Sequence, residues 1–453
     1  MADNIHTRRE FLRLAGIGAA AVMLPSPALF AAQDRKPNVI VILADDMGYA
    51  EMGCQGCKDV PTPNLDSIAR NGVRFTDGYV SCPVCSPTRA GLLTGRYQTR
   101  FGHEGNPGPG MDRKAWGLPP SEKTIAQYMK AEGYATGVVG KWHLGDNAEY
   151  HPNKRGFDEF FGFIGGAHPY LDPTVDSFNM IQRNGKPVDE KDHLTYAFGR
   201  EAASFIDRHK DKPFFLHLAF NAVHAPLQRP RRLAAAFPEI KDEKRRSFAT
   251  LLKSMDDMIG SVLTKVRDEK LEKDTLIIFL SDNGGPTPGT TARNDPFRGY
   301  KTQVHEGGIR VPFMMQWPGR VPAGKTYDKP IISLDILPTA VAAAGGKVDG
   351  NVEGVNIIPY ISGKISGAPH ESLCWRFDKQ SAIRLGDWKL SRHEAKGTRL
   401  YNLKDDPGEA KDLTAEKPGK VAELSAAWDK WNSRNIKALW PGKSDAPWTD
   451  ETW

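Results

Sequence analysis

Two pairs of oxygen-bearing side chains lie just beyond apolar runs. Asp45-Asp46 comes after the run Asn38–Ala44, and Asp282-Asn283 comes after residues 275–280. Carboxylate and amide oxygens are hard ligands, which Ca²⁺ or Mg²⁺ prefers over sulfur or imidazole. Either pair alone is more typical of a helix cap or a turn. Taken together, the two pairs predict one site for a divalent cation.

A cysteine with polar neighbours opens a second candidate site. Residues 85–89 read Cys-Ser-Pro-Thr-Arg. Ser86 is a favoured N-cap and Pro87 suits a first helical turn, so a helix is predicted to begin here and to end at Gly95. Cys85 then lies beside unpaired backbone N–H groups, which favour negative charge. The alternative is an ordinary capped helix that carries a buried thiol.

Further polar side chains follow other predicted strands. Lys141 and His143 come after residues 134–139, His224 comes after residues 214–220, and Lys301 lies in the segment Arg-Gly-Tyr-Lys. Ligands of open α/β sheets bind outside the carboxyl ends of the strands. A single loop His or Lys is usually only solvated, so the prediction of a joint site depends on the whole set.

The elements that must position these residues alternate along the chain. Continuous apolar or β-branched runs predict buried strands, and three/four spacing of apolar residues predicts helices. Strands are predicted over 38–44, 73–80, 134–139, 214–220 and 275–280, and helices over 64–70, 121–131 and 248–266. This alternation predicts an α/β layered domain. Beyond residue 346, short strands at 372–377, 381–385, 388–392 and 399–403 and a helix near 420–432 predict a small antiparallel sheet with a helix packed on it.

Length, charge and the first residues limit the function. A chain of 453 residues with 40% hydrophobic content can build a large core, and a net charge of +6 is too mild to indicate nucleic acid. Residues 7–12 read Thr-Arg-Arg-Glu-Phe-Leu and precede the apolar residues 14–24. Residues 1–32 therefore predict a twin-arginine signal, the export machinery as a partner, and a periplasmic or extracellular location. A membrane anchor is the alternative, but a spanning helix needs about 20 apolar residues.

The cysteines allow another interpretation. Cys54 and Cys57, then Cys82 and Cys85, form two C-x-x-C pairs, and Cys374 lies far along the chain. Two such pairs can form a four-thiolate zinc site, although the gap between them is longer than usual. Whether the other four cysteines form disulfides is left open by the sequence.

The segments together resemble the type I sulfatases of the alkaline phosphatase superfamily. The resemblance extends from Pro37 to about Pro407, where residues 400–407 are similar to the family's C-terminal signature. It implies a large mixed, mostly parallel sheet sandwiched by helices, with a smaller C-terminal antiparallel-sheet subdomain. The implied division is a catalytic domain over 36–345 and an α+β subdomain over 346–453.

The resemblance also implies the function of individual residues. A formylglycine-generating enzyme converts the motif cysteine to formylglycine, whose hydrated aldehyde attacks sulfate esters, and calcium binds beside it. Thr88 replaces the commoner Ser of this motif. The positions that match the family's calcium ligands are Asp45, Asp46, Cys85, Asp282 and Asn283, and those that match its catalytic residues are Cys85, Arg89, Lys141, His143, His224 and Lys301.

The same resemblance favours sulfated carbohydrate as the substrate, with aryl sulfates as artificial substrates. Loop residues beside the motifs are candidates for substrate specificity, namely His103, Glu104, His168, Tyr170 and Arg298. A phosphodiester or phosphonate monoester hydrolase of the same superfamily is the nearest alternative function. A noncatalytic glycan-binding protein with unmodified Cys85 is a second.

Overall fold

Strands dominate the centre of the computed structural model, which describes residues 35–106, 116–171 and 179–440. The predicted export signal, residues 1–32, lies outside the described residues. The strands are β1 (Asn38–Ala44), β2 (Val73–Phe75), β3 (Gly78–Tyr79), β4 (Ala135–Lys141), β5 (Glu159–Phe163), β6 (Gln182–Arg183), β7 (Lys186–Pro187), β8 (Phe214–Ala219), β9 (Thr275–Ser281), β10 (Phe313–Gln316), β11 (Lys325–Tyr327), β12 (Ile331–Ile332), β13 (Ser372–Phe377), β14 (Gln380–Leu385), β15 (Trp388–His393) and β16 (Gly397–Asn402).

Helices connect these strands. They are α1 (Pro63–Arg70), α2 (Cys85–Thr94), α3 (Ile125–Ala131), α4 (Leu194–His209), α5 (Glu243–Asp268), α6 (Thr287–Thr290), α7 (Glu306–Ile309), α8 (Ile336–Ala343), α9 (Ile358–Ile361) and α10 (Pro418–Asn432). Among the described residues, no helix is both long and apolar enough to cross a membrane.

The main sheet has ten strands in the order β11-β2-β10-β9-β1-β8-β4-β5-β6-β7. The five from β9 to β5 are parallel, whereas β10 and β6 join this group in antiparallel fashion. Ala44 of β1 pairs with Ser281 of β9, so the acidic pairs that follow these two strands lie next to each other. The carboxyl ends of β4 and β8 meet the same edge of the sheet.

Alternate side chains of β1 enter two separate hydrophobic cores. Val39, Val41 and Leu43 pack on one face of the sheet, and Ile40 and Ile42 pack on the other. Helices α2, α3 and α8 cover the first face, and α1, α4 and α5 cover the second. The predicted mixed, mostly parallel sheet sandwiched by helices is therefore confirmed.

Strands β13 to β16 form a separate antiparallel sheet, as predicted, and α10 contributes Leu424 and Trp431 to the core beneath it. The buried indole of Trp375 in β13 donates a hydrogen bond to the carbonyl of Val80, at 2.7 Å. Apolar side chains of this sheet belong to the same core as α2 and α3. Residues from Lys36 onward form one compact unit, and the division into 36–345 and 346–453 stays a prediction.

Three local predictions were wrong. The predicted strand 73–80 is split, because β2 joins the main sheet whereas β3 pairs with β12 in a second sheet. Between them, Asp77 turns away to form ion pairs with Arg310 and Arg384. The predicted helix 121–131 begins only at Ile125, where Thr124 and Gln127 form a capping box.

The third error concerns the helix of the cysteine motif. Helix α2 begins at Cys85 itself, and its N-cap is Val84, which has no side-chain capping bond. The hydroxyl of Ser86 instead donates to the carbonyl of His143, at 2.7 Å, and lies 2.6 Å from Nε2 of His103. Gly95 ends the helix in the left-handed conformation, as expected.

Candidate active site

The two acidic pairs meet at the carboxyl ends of β1 and β9. The backbone N–H of Asp46 donates to Oδ1 of Asp282, at 3.2 Å, and Nδ2 of Asn283 donates to Oδ1 of Asp46, at 2.7 Å. All four side chains, including that of Asp45, are almost completely buried. Asp46 adopts a positive φ of 64°, a conformation that Asp tolerates better than most residues. The register of β1 and β9 therefore brings together side chains that are far apart in the sequence.

Cys85 lies in the centre of this acidic group. Its Sγ atom is 3.6 Å from Oδ1 of Asp45, and Nζ of Lys301 is 3.2 Å from the same sulfur. Lys301 also donates to Oδ1 of Asp46, at 2.6 Å. Ligand atoms of Asp45, Asp46, Cys85 and His224 all lie within 4.8 Å of one another, which makes this a possible metal site.

Three cations neutralise the three carboxylates. Nζ of Lys141 lies 2.6 Å from Oδ2 of Asp45, and Arg89 donates to Oδ2 of Asp282 through Nε at 3.0 Å and Nη2 at 2.8 Å. With Lys301 on Asp46, every carboxylate of the site has a cationic partner. Because these charges cancel, a bound dication would leave the centre positive and able to attract an anion.

Burial and these charges change the pKa values of the central groups. Burial raises the pKa of the Cys85 thiol to about 12, against the opposing effect of Lys141 and Lys301. Burial also acts to raise the pKa of Asp282, but Arg89 and Lys141 outweigh it and lower that pKa below its usual range. Burial acts to lower the pKa of Lys301, but Asp46 and its neighbours raise it well above the usual value. At neutral pH, the site therefore holds a neutral thiol, a carboxylate and an ammonium.

His143 is held as a neutral imidazole. Burial, followed by the charges of Lys141 and Arg89, lowers its pKa well below 6.5. Its Nδ1 atom is buried and has no hydrogen-bond partner. A Cβ atom at Gly166 would come within 2.5 Å of Nε2, so a larger residue there would have to displace the imidazole. The imidazole is therefore uncharged at neutral pH, and its lowered pKa makes it a weaker base than an exposed histidine.

His224 differs from His143 because its side chain is 21% exposed. Its Nε2 atom lies 3.5 Å from Oδ2 of Asp46, and its Nδ1 atom lies 2.6 Å from the carbonyl of Ala225. It therefore stands between the buried carboxylates and solvent. A side chain there can exchange a proton with a ligand that enters from solvent.

The donor set fits a hard divalent cation. Oδ1 of Asn283 is buried without a hydrogen-bond partner, although Nδ2 of the same amide has two acceptors. An uncompensated buried carbonyl oxygen is costly unless a ligand satisfies it. Together with the adjacent carboxylates of Asp45 and Asp46, this oxygen is suited to Ca²⁺ or Mg²⁺.

The predicted specificity residues occupy different surroundings. His103 is completely buried, 2.6 Å from the Ser86 hydroxyl, and Glu104 forms an ion pair with Arg376 of β13. The Tyr170 hydroxyl donates to the carbonyls of Asn221, at 2.6 Å, and His224, at 2.9 Å. These contacts give His103, Glu104 and Tyr170 structural functions, and their contact with substrate stays a prediction.

The other two specificity candidates also contact protein groups. Nδ1 of His168 lies 2.6 Å from the carbonyl of Pro169, and its ring packs against Phe163. Arg298 donates from Nη1 to the carbonyl of Glu409, at 3.1 Å. His168 is 2% exposed, whereas Arg298 is half-buried.

Sequence reasoning missed a buried ion network beneath the loop that follows Asp46. Arg245 of α5 forms a bidentate pair with Glu51, at 2.8 Å for each contact, and it also contacts Asp59. The backbone N–H of Arg293 donates to the same Glu51 carboxylate, at 2.6 Å. The network thus joins the segments that follow β1 and β9. No local spacing could have revealed partners so far apart in the chain.

The zinc interpretation is not supported in the part of the chain that the structure describes. Cys85 clusters with oxygen and imidazole ligands rather than with Cys54, Cys57 and Cys82. All five cysteines are free thiols.

Similarity to known proteins agrees with the fold and the site. The sulfatase family profile matches residues 37–346, and a profile described as N-sulphoglucosamine sulphohydrolase, C-terminal, matches residues 299–427. The chain belongs to the sulfatase family. It is a sulfuric ester hydrolase, as the sequence resemblance predicted.

Individual relatives cover most of the chain. N-acetylgalactosamine-6-sulfatase of Canis lupus familiaris is 32% identical over 83% of this chain and 74% of its own length. Arylsulfatase A of Homo sapiens is 32% identical over 91% of this chain and 90% of its own length. The solved structure of Ps i-CgsB in complex with k-i-k-neocarrahexaose is 36% identical, with a TM-score of 0.85 over 90% of this chain and 96% of that chain.

Proposed function

We propose that this protein hydrolyses sulfate esters of a sulfated carbohydrate, with formylglycine at position 85 and a bound calcium ion. The observation that carries the proposal is the position of Cys85, whose Sγ lies 3.2 Å from Nζ of Lys301 and 3.6 Å from a carboxylate oxygen of Asp45. A neutral thiol with a pKa near 12 is a poor nucleophile at neutral pH, so the unmodified side chain does not suit the reaction.

The calcium ion and the formylglycine side chain would be held by residues already described. The oxygens of Asp45, Asp46, Asp282 and Asn283, with residue 85, form the proposed calcium site. A hydrated formylglycine supplies an oxygen nucleophile with a second hydroxyl on the same carbon, and calcium supplies positive charge beside the sulfate. Arg89 holds Asp282 ionised and correctly oriented through its two hydrogen bonds.

Two histidines are proposed to transfer protons in different steps of the reaction. His224, which is partly exposed, supports protonation of the departing alcohol. His143, which is buried and neutral, accepts a proton when sulfate is released and residue 85 is regenerated. Such positioned groups contribute about 10² to 10⁴ in rate.

The two lysines are proposed to have different functions, of which one is to hold the sulfate. A unit charge about 4 Å from an anionic oxygen contributes roughly 4 kcal/mol at an effective dielectric constant near 20. Lys301 is 13% exposed and so can reach a ligand, whereas Lys141 is completely buried on Asp45. We therefore assign direct sulfate contact to Lys301 and support of residue 85 to Lys141.

The names of relatives support a carbohydrate substrate. One is an N-acetylgalactosamine-6-sulfatase, and the structure of Ps i-CgsB holds k-i-k-neocarrahexaose. The twin-arginine signal predicted for residues 1–32 adds the proposal that the folded protein acts in the periplasm or outside the cell.

The test combines mass spectrometry with paired assays. Protein made together with a formylglycine-generating enzyme should carry an aldehyde at position 85 and should hydrolyse a sulfate ester faster than the phosphate ester of the same alcohol. Free thiol throughout, or a preference for the phosphate ester or a phosphonate monoester, would contradict the proposal.

A substitution tests the sulfate contact separately. Lys301→Ala should lower kcat/KM by orders of magnitude, whereas Lys123→Ala, in an exposed ion pair, should leave it unchanged. Near-normal turnover of Lys301→Ala would remove the proposed contact.

A further inference from the structure

The loop that carries Lys301 is attached to the C-terminal sheet by one amide side chain. Gln380, the first residue of β14, is 2% exposed. Its Oε1 atom accepts a hydrogen bond from the backbone N–H of Val304, at 3.1 Å, and its Nε2 atom donates to the carbonyl of Thr302, at 2.9 Å. Both ends of the amide are therefore used on the backbone directly after Lys301.

The same turn is attached to the segment that precedes Cys85. The backbone N–H of Thr302 donates to the carbonyl of Pro83, at 2.9 Å. Thr302 adopts a positive φ of 78°, which a threonine holds only where its surroundings enforce it. Gln380 and Pro83 thus fix this residue from two sides, and Lys301 and Cys85 are held close together as a result.

A buried ion cluster holds the remainder of the loop against the same sheet. Nζ of Lys389 in β15 lies 2.9 Å from Glu306 and 2.9 Å from Glu409, and all three side chains are completely buried. Glu409 also accepts from the backbone N–H of Glu306, at 2.7 Å, and its own carbonyl accepts from Arg298. The loop between Arg298 and Glu306 is therefore fixed at both ends.

We propose that Gln380 is a positioning residue that sets the distance between the Lys301 ammonium, Asp46 and residue 85. Its side chain, which belongs to the C-terminal sheet, contacts the backbone of Thr302 and of Val304, on both sides of Gln303. Loss of its two hydrogen bonds leaves Thr302 fixed from the Pro83 side only, so that the positive φ can relax and the attachment point of Lys301 can move. In the intact protein, the C-terminal sheet would therefore contribute to sulfate binding indirectly, through the position of Lys301.

This inference rests on the proposed function of Lys301, so its test uses two readouts. The affinity for inorganic sulfate is measured by calorimetry, and kcat and KM are measured on a sulfate ester. Gln380→Ala should weaken sulfate binding and lower kcat/KM by about tenfold or more, since small misplacements of catalytic groups have effects of this size. Gln380→Met fills the same space without a donor or an acceptor, and should give the same losses if the two hydrogen bonds position Lys301.

A control variant and a double variant distinguish an effect on the position of Lys301 from a general loss of stability. Ser391→Ala removes a buried hydroxyl without a hydrogen-bond partner from the neighbouring strand β15, and should change neither readout. In a Lys301→Ala background, Gln380→Ala should lower kcat/KM by less than about twofold, because the group that it positions is absent.

Each outcome decides the inference. Equal losses with and without Lys301, or unchanged sulfate affinity in Gln380→Ala, overturn it. If Gln380→Ala does not fold, Gln380→Met undergoes the same comparison. If the wild-type enzyme does not hydrolyse sulfate esters, the proposed function fails, while the sulfate titration still decides whether Gln380 acts on Lys301.

Discussion

The Nζ atom of Lys141 lies 2.6 Å from Oδ2 of Asp45, and neither side chain is exposed to solvent. Removal of one partner of such a pair leaves an uncompensated buried charge, which costs about 3–5 kcal/mol. Arg89 is 3.8 Å from the same oxygen and is already engaged by Asp282, so it can compensate only in part. The pair therefore contributes to the stability of the site as well as to its chemistry.

We expect Lys141→Met to lower the free energy of unfolding by about 3–5 kcal/mol in the presence of a chelator. Added calcium should recover part of the loss, because a cation near Asp45 replaces the missing ammonium. Urea denaturation with EDTA and with calcium measures both effects. Lys123→Met, which removes an exposed pair with Asp349 and a contact with the Tyr128 ring, serves as the control and should change stability by less than about 2 kcal/mol. Equal stability of Lys141→Met and the wild type would contradict this account.

Chelation should abolish activity while leaving the protein folded. The carboxylates of Asp45, Asp46 and Asp282 have cationic partners within the chain, so folding does not need the metal to neutralise them. EDTA should therefore eliminate turnover, and calcium should restore it. Stabilisation by bound calcium follows mass action, about 2.7 kcal/mol at 100 times the Kd. Full activity in protein shown to be metal-free by elemental analysis would exclude the proposed calcium site.

His103→Ala should affect stability rather than substrate choice. The imidazole lies 2.6 Å from the Ser86 hydroxyl, 3.3 Å from the carbonyl of Gly117, and edge-on to Trp440. Loss of these buried contacts should cost about 1–3 kcal/mol. The ratio of kcat/KM values for two sulfated sugars should stay constant. A changed ratio at unchanged stability would instead support the specificity function predicted from the sequence.

Stability should depend on pH through His370 and Asp335. Burial acts to lower the pKa of His370, but the Asp335 carboxylate, 2.8 Å away, more than offsets it and raises that pKa above 6.5. A raised pKa in the folded state stabilises the protein fully below 6.5, and this contribution is lost as pH rises through the folded pKa.

Urea midpoints measured from pH 5.5 to 9 test this linkage. The wild type should lose stability across this range more steeply than His370→Asn, which cannot carry the charge. Parallel profiles of the two proteins would show that this pair does not contribute.

Much of the fold could be predicted because its strands have simple patterns. The strand Asn38–Ala44 was predicted with correct bounds, since both of its faces are buried and its apolar run is continuous. The predicted strand 73–80 failed because its break depends on Asp77, whose partners Arg310 and Arg384 come from distant segments. Such long-range ion pairs leave no periodic signal in a sequence.

The sequence predicted which residues form the site, but it did not predict all of the hydrogen bonds that hold them in place. The motifs indicated that Asp45, Cys85 and Lys301 belong together, and the structure brings them together. Ser86 was expected to cap a helix, yet its hydroxyl contacts His103 and the His143 carbonyl. The contacts of Gln380 could not be predicted, because no local sequence pattern marks a glutamine whose side chain binds the backbone of a distant segment.

The balance of buried charges also bears on when the site can take up an ion. A polypeptide whose acidic centre is already neutralised by Arg89, Lys141 and Lys301 can reach its native shape before any ion binds.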